Sequence, residues 1–299
     1  MKQVCFLSGK GGTGKTTLCA AFAALEGRAV LVDADVESSN LPLLVPHEIL
    51  HSEPFSGRKC AVIDGAACTG CRRCLDLCAY GALIEKEPGV FAVTGSLCEG
   101  CGLCPRLCPA GAITMKEFPG GTWHVSRSAA GPLVHASLAL SEEASGKLIR
   151  VLRVMAESLA REGEYPILLI DGPAGLGCPA MSAITGVDAV IAVTEPTPAG
   201  LSDLERMLDL TCHFGIPTCL CINKSTLDGM MKRQIEQRCK ERGIFLAGHV
   251  PYDDAFREAL NRGLTITEHG NGVLNETLTA LWKDIRSFVD RSEPCPSHS

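Results

Sequence analysis

Aromatic residues make up only 5% of this 299-residue chain, and Lys and Arg (28) are outnumbered by Asp and Glu (34). The resulting net charge of -6 withholds the basic face that neutralising nucleic-acid phosphates requires, so no nucleic-acid partner is expected. No apolar run approaches the roughly 18 residues needed to cross a bilayer, so a membrane partner is not expected either. The opening Met1 to Ser8 reaches Gly9 too soon for a secretory leader, which leads us to expect a soluble, cytoplasmic protein. Cysteine, in contrast, is abundant at 17 residues. Without a secretory route these thiols are expected to be reduced, metal-bound or buried.

Short apolar runs alternate with helical patterns at Val4 to Ser8, Ala29 to Val32, Ile167 to Ile170, Ala189 to Val193, Pro217 to Ile222 and Ile244 to Val250. Continuously apolar strands separated by helices predict an α/β fold with a doubly wound, mainly parallel sheet. Between about Pro54 and Gly121 the rhythm gives way to Cys, Gly and Pro, which marks a small inserted segment. Thr122 to Ser126 and Leu133 to Ala139 read as short strands leading back through a helix near Ser145 to Arg161. The predicted division is 1–53 and 122–291 for the main domain, 54–121 for the insertion, and a disordered tail over 292–299 that includes Cys295.

Gly9-Lys10-Gly11-Gly12-Thr13-Gly14-Lys15-Thr16 follows the first strand and precedes a helix predicted from Lys15 to Leu25, the context a phosphate-binding loop requires. Glycines let backbone N–H groups turn toward phosphate oxygens, and the helix dipole adds to the attraction. Lys15 is expected on the β and γ phosphates, and Thr16 on Mg2+, with Thr17 following in the first turn. Strand-end aspartates such as Asp171 suit phosphoryl transfer, which needs metal positioning and an oriented nucleophile more than covalent chemistry.

Cys68-x2-Cys71-x2-Cys74-x3-Cys78 recurs as Cys98-x2-Cys101-x2-Cys104-x3-Cys108, each followed by Gly-Ala and an aliphatic residue. In such a run three thiolates take three corners of one 4Fe-4S cube while the fourth ligates the other cube. The spacing therefore assigns Cys68, Cys71, Cys74 and Cys108 to one cluster, and Cys98, Cys101, Cys104 and Cys78 to a second. Two zinc sites are the competing reading. Pro109 follows Cys108, whereas Ala79 follows Cys78, a difference in the exit turn with no bearing on ligation.

With Lys10 included, the loop resembles the deviant phosphate loop of the MinD/ParA and nitrogenase iron-protein superfamily. The likeness continues at Asp33-Ala-Asp35, Asp171-Gly-Pro-Ala-Gly175, Ile222-Asn223-Lys224 and Val250-Pro251-Tyr252-Asp253, in family order. The resemblance implies an ATPase that dimerises with ATP. Lys10 would reach across the homodimer, Asp35 would orient the attacking water, Asp171 would hold Mg2+ through water, and Asn223 would read the adenine edge. The cysteine repeat makes the insertion resemble a two-cluster ferredoxin module, small and α+β.

Of the remaining cysteines, Cys5, Cys219 and Cys221 fall in core strands and read as packing. Cys60 lies eight residues before the first motif. Cys178 occupies the second switch, where the nitrogenase iron protein has a cluster ligand, and is a candidate redox or metal residue. Leu274, Leu278, Leu281, Ile285, Phe288 and Val289 form a helical stripe with few basic neighbours, read as core packing and not as a membrane-targeting face. Two functions follow. One is a nucleotide-driven dimer cycle coupled to electron or metallocluster transfer to an unidentified redox or metalloprotein partner. The alternative is a MinD-like positioning or scaffold protein whose clusters sense redox state.

Overall fold

The computed structural model describes residues 1–138, 145–270 and 272–292. Its strands are β1 (Lys2–Ser8), β2 (Ala29–Asp33), β3 (His47–Ile63), β4 (Leu83–Glu87), β5 (Val90–Val93), β6 (Ile113–Ser128), β7 (Pro132–Leu138), β8 (Ile167–Ala174), β9 (Ala189–Thr194), β10 (Thr218–Ile222) and β11 (Phe245–His249). The chain divides into two compact units, one of Met1–Ser52, Trp123–Ala136 and Ile149–Ser299, the other of Glu53–Thr122 and Ser137–Leu148. Ala139 of the expected strand and the expected tail beyond Ser292 lie outside the described residues.

β1, β2, β8, β9, β10 and β11 of the first unit belong to a nine-stranded sheet in the order β11-β10-β9-β1-β8-β2-β7-β6-β3, in which β3, β6 and β7 each include residues of the second unit. All pairings from β11 across to β7 are parallel, as continuous apolar strands require. β1, β2, β9 and β10 carry almost nothing but buried residues. Cys5, Cys219 and Cys221 are fully buried there. Burial pushes the Cys5 and Cys221 thiols up to about 12 and Cys219 further, so all three behave as small apolar packing groups.

The helix Lys15–Glu26 buries Leu18, Cys19 and Phe22. Phe22 stacks on Phe6 at 6.0 Å and on Trp282 at 5.1 Å between centroids. Trp282 belongs to the C-terminal helix Gly272–Arg291, whose stripe Leu274, Leu278, Leu281, Ile285 and Val289 is buried, with Phe288 half-buried against the same core. That stripe is consumed in packing against the helix Lys15–Glu26 and β11. No helix among the described residues is long and apolar enough to cross a membrane.

β3 and β6 run further than the sequence suggests, beginning at His47 and Ile113. β3 is mostly exposed, and no alternation or continuous apolar run reveals it; of β6, the sequence marks only Thr122 to Ser126, in the half where buried residues recur. In the first unit, β3, β6 and β7 bring together His47, His124 and His135, with ring centroids of His135 lying 5.2 Å from His47 and 5.0 Å from His124. His135 is buried and pairs with Ser126 Oγ at 2.9 Å. Burial, reinforced by the two neighbouring imidazoles, pushes its pKa down to about 4.

Because an unfolded histidine titrates near 6.5, the unfolded chain binds the extra proton first as pH falls. The stabilisation from a neutral His135 is complete above about pH 6.5 and is lost toward pH 4, a difference of about 2–3 kcal/mol. Thermal melts from pH 7.5 to 4.5 are expected to fall less steeply for His135→Gln than for the wild type. Parallel slopes would show that His135 does not set this dependence.

The second unit repeats its backbone as it repeats its sequence. The helix Arg73–Leu77 follows the first cysteine arc and Leu103–Leu107 follows the second, and these two helices pack together. Gly81 N–H donates to Cys78 O at 3.1 Å, and Gly111 N–H to Cys108 O at the same distance. Ala82 and Ala112, the residues after these turns, are both buried. Arg72 takes the left-handed conformation that Gly102 takes in the second repeat, its guanidinium paired with Glu85. The antiparallel hairpin of β4 and β5 lies between the repeats.

Candidate functional site

Side chains at the carboxyl ends of β1, β2, β8, β9 and β10 meet around the loop Gly9–Gly14, the edge where parallel sheets bind ligands. The helix after the loop has no side-chain cap and no acidic residue in its first turn, so its N-terminal N–H groups are left for an anion. Two glycines are required by crowding. A Cβ on Gly14, whose φ is 88°, would sit 2.2 Å from Asn223 Nδ2, and one on Gly9 would sit 2.1 Å from the Cβ of Asp203. Gly11 and Gly12 are exposed, and Thr16 and Thr17 are half-buried in the first helical turn.

Lys15 is buried and donates from Nζ to Asp171 Oδ1 at 2.6 Å, with Asp35 Oδ2 at 4.0 Å and Thr16 Oγ1 at 3.4 Å. Burial works against the ammonium charge, but Asp171 outweighs it and holds the lysine pKa above its usual value. Asp33 and Asp171 are register partners in β2 and β8, both fully buried. Asp33 accepts from Ser39 Oγ at 2.8 Å, Leu41 N at 3.0 Å and Asp35 N at 3.1 Å, which ties down the loop after β2. Burial and the Asp171 carboxylate raise its pKa to about 7. Asp35 keeps a more accessible carboxylate facing Lys15, its pKa also raised by burial despite that lysine.

Asn223 donates from Nδ2 to Thr13 O at 2.7 Å, which places its amide beneath the phosphate loop. Its Oδ1, Thr13 Oγ1 and Asp171 Oδ2 are buried without a hydrogen-bond partner. Buried polar atoms are almost always satisfied, so three orphans around one loop fit a ligand carrying donors, oxygens and a cation, as Mg-nucleotide does. Lys10 is paired with Glu195 Oε1 at 2.6 Å. Glu195, with Lys224 beside it, escapes motif reasoning. Its only signal is a charged residue placed directly after the apolar β9 strand.

In the second unit, Cys60, Ala61, Ala82, Cys98 and Ile113 form a small core against which Cys74, Cys78, Cys104 and Cys108 pack. A cavity of about 280 Å3 is walled by Cys74, Cys78, Cys98, Cys101 and Cys104 together with Met115 and Leu83. Cys68 and Cys71 lie outside that wall, on the preceding arc. Among the described residues no three His, Cys, Asp or Glu side chains are gathered as ligands of a single metal ion. Cys178 is exposed at the start of the helix Cys178–Ile184 in the first unit.

An uncharacterized protein of Methanocaldococcus jannaschii is 28% identical over 297 residues, covering 96% of this chain and 97% of its own. An iron-sulfur cluster carrier protein of the same organism is 29% identical over 116 residues, covering 34% of this chain and 40% of its own. The septum site-determining protein MinD of Pyrococcus horikoshii, solved with Mg-ADP, superposes with a TM-score of 0.55 at 19% identity, covering 95% of each chain. The sequence also matches the profile of a nucleotide-binding domain over residues 4–266. With that match spanning most of its length, the chain belongs to the CobQ/CobB/MinD/ParA nucleotide binding domain family, and the enzyme class expected from its sequence, an ATPase, is that of the family's MinD/ParA members.

Proposed function

We propose that this ATPase binds two 4Fe-4S clusters and couples a nucleotide-driven homodimer cycle to electron or metallocluster transfer to a partner protein. The observation that carries this reading is one chain holding both a phosphate loop ringed by orphaned buried polar atoms and a cysteine repeat whose two halves fold alike. The loop amides and Lys15 would hold the phosphates, Thr16 and Asp171 the Mg2+, and Asp35 would orient the attacking water. Asp171 Oδ2 lacks a hydrogen-bond partner, as a carboxylate facing hydrated metal should. With Asp33 committed to the loop after β2, Asp35 is left as the carboxylate for the nucleophile.

The cysteines fit clusters on structural grounds. The cavity wall carries the set Cys78, Cys98, Cys101 and Cys104 in full. Each sulfur of such a set takes a different iron, so the four need not converge on one ion. Cys74 and Cys108 of the other set pack on the same small core, with Cys68 and Cys71 on the arc before it. When bound, such clusters supply one-electron transfer. The likeness over 116 residues to an iron-sulfur cluster carrier leaves cluster delivery as the other form of the same coupling. Along the chain, the residues of the second unit fall between β2, with its bound loop, and β8, with Asp171.

Coupling requires nucleotide to bind the two redox states with different affinity, and linkage then moves the midpoint potential. Anaerobic redox titration of the ADP and ATP-analogue forms is expected to show a shift of about 59 mV for a tenfold affinity ratio in a one-electron step. Cys178→Ser is expected to reduce that shift. Superimposable curves for the two nucleotide forms would overturn the coupling and leave two independent functions on one chain.

A further inference from the structure

Glu195 is the acidic residue at the phosphate loop that no nucleotide role absorbs. It follows β9, is buried apart from about a tenth of its side chain, and accepts from two lysines at once. Lys10 Nζ lies 2.6 Å from Oε1, and Lys224 Nζ lies 3.0 Å from Oε2 while donating also to the Gly12 carbonyl at 2.7 Å. Burial disfavours the carboxylate, yet the hydrogen bonds from Lys10 and Lys224 hold its pKa below the usual range. Lys224 adopts a left-handed backbone conformation, φ 52°, directly after Asn223, whose amide is bonded to Thr13. Loop, β9 end and β10 end are therefore tied together through a single carboxylate.

The two lysines differ in what else they hold. Lys224 keeps the Gly12 carbonyl if Glu195 is lost, whereas Lys10 has Glu195 as its one side-chain partner among the described residues and is more than a third exposed. An incoming polyphosphate offers Lys10 a more highly charged acceptor than one carboxylate does. We propose that Glu195 is the resting counter-ion of Lys10, holding that lysine against its own protomer until nucleotide phosphate competes for it. Glu195 is thus a positioning residue, and Lys224 braces it against the loop. The part this exchange plays in dimerisation rests on the homodimer cycle proposed above, but the pairing itself is a property of the nucleotide-free chain.

Amine acetylation of the full-length, nucleotide-free protein, read at Lys10 by mass spectrometry, tests the pairing, because only a deprotonated and accessible amine reacts. Glu195→Gln keeps the shape of the side chain and removes its charge, and is expected to speed Lys10 labelling about tenfold. Glu195→Asp, which keeps the charge on a shorter arm, is expected to fall between Gln and wild type. Lys224→Met should leave Lys10 labelling within about twofold of wild type, since the carboxylate remains. Equal labelling of wild type and Glu195→Gln overturns the proposal, as does a Lys224→Met effect as large as that of Glu195→Gln.

Sedimentation over an ATP titration then separates the latch from the cycle. Glu195→Gln is expected to dimerise at about tenfold lower ATP than wild type, within the usual span of coupling factors. A wild type that stays monomeric with ATP overturns the homodimer reading and leaves the labelling result to decide the pairing. A wild type that dimerises at the same ATP concentration as Glu195→Gln overturns the latch.

Discussion

Lys15→Ala is expected to reduce ATP turnover by at least about 100-fold, the scale on which removing a charge-stabilising group from a transition state is felt. It should also destabilise the nucleotide-free protein by about 3–5 kcal/mol. The second effect comes from Asp171, which is fully buried and has Lys15 Nζ at 2.6 Å as its ion partner. Removing one member of a buried pair leaves the other charge uncompensated, and that is costly. The pair Lys15→Met with Asp171→Asn removes both charges and should recover most of the stability without recovering turnover. Melting curves and ATPase rates for the three variants separate the two consequences. A Lys15→Ala protein that melts like wild type and still turns over ATP would refute the site. Its iron content should be unaffected, because the cysteines belong to the other unit.

Anaerobically prepared protein is expected to contain about eight iron and eight sulfide per chain, four of each for every cubane. Cys98→Ala should reduce both by about half, because Cys98 is a wall residue of the cavity that carries one complete cysteine set. Cys60 is buried beside Cys98, so the substitution is best made with Cys60→Ala as well, which removes a nearby thiol able to take over the vacated iron. Zinc without sulfide in the wild type would replace the cluster assignment with the zinc reading of the same spacing. Full iron content in the double variant would remove Cys98 from the ligand set.

The parallel core was legible because its strands are apolar throughout. β1, β2, β9 and β10 stand out from any neighbour by composition alone. The phosphate loop was legible because glycine spacing, a preceding strand and a following helix coincide. β3 was not, since most of its residues face solvent and the hydrophobic pattern falls silent there, and of β6 only the stretch Thr122 to Ser126 was legible. The division of labour proposed for Asp33 and Asp35 rests on the hydrogen bonds that Asp33 accepts from Ser39 and Leu41, and two aspartates two residues apart look alike until those partners are known. Glu195 was invisible for a related reason. Its meaning comes from Lys10 and Lys224, which lie far from it along the chain and meet it only at the sheet edge. Local pattern reports what a residue is, and long-range pairing decides what it does.

The stacking of Trp282 on Phe22 has an optical consequence. The chain has two tryptophans, Trp123 and Trp282. Trp282 donates its indole N–H to Glu26 at 2.9 Å, at the last turn of the helix whose first turn carries Lys15 and Thr16. A rigid rod of about 18 Å therefore joins the phosphate-facing end to a fluorophore at the other. Displacement of that rod changes both the aromatic overlap and the carboxylate field on the indole, so in a Trp123→Phe background the emission spectrum reads out motion of the nucleotide-binding helix without an attached dye.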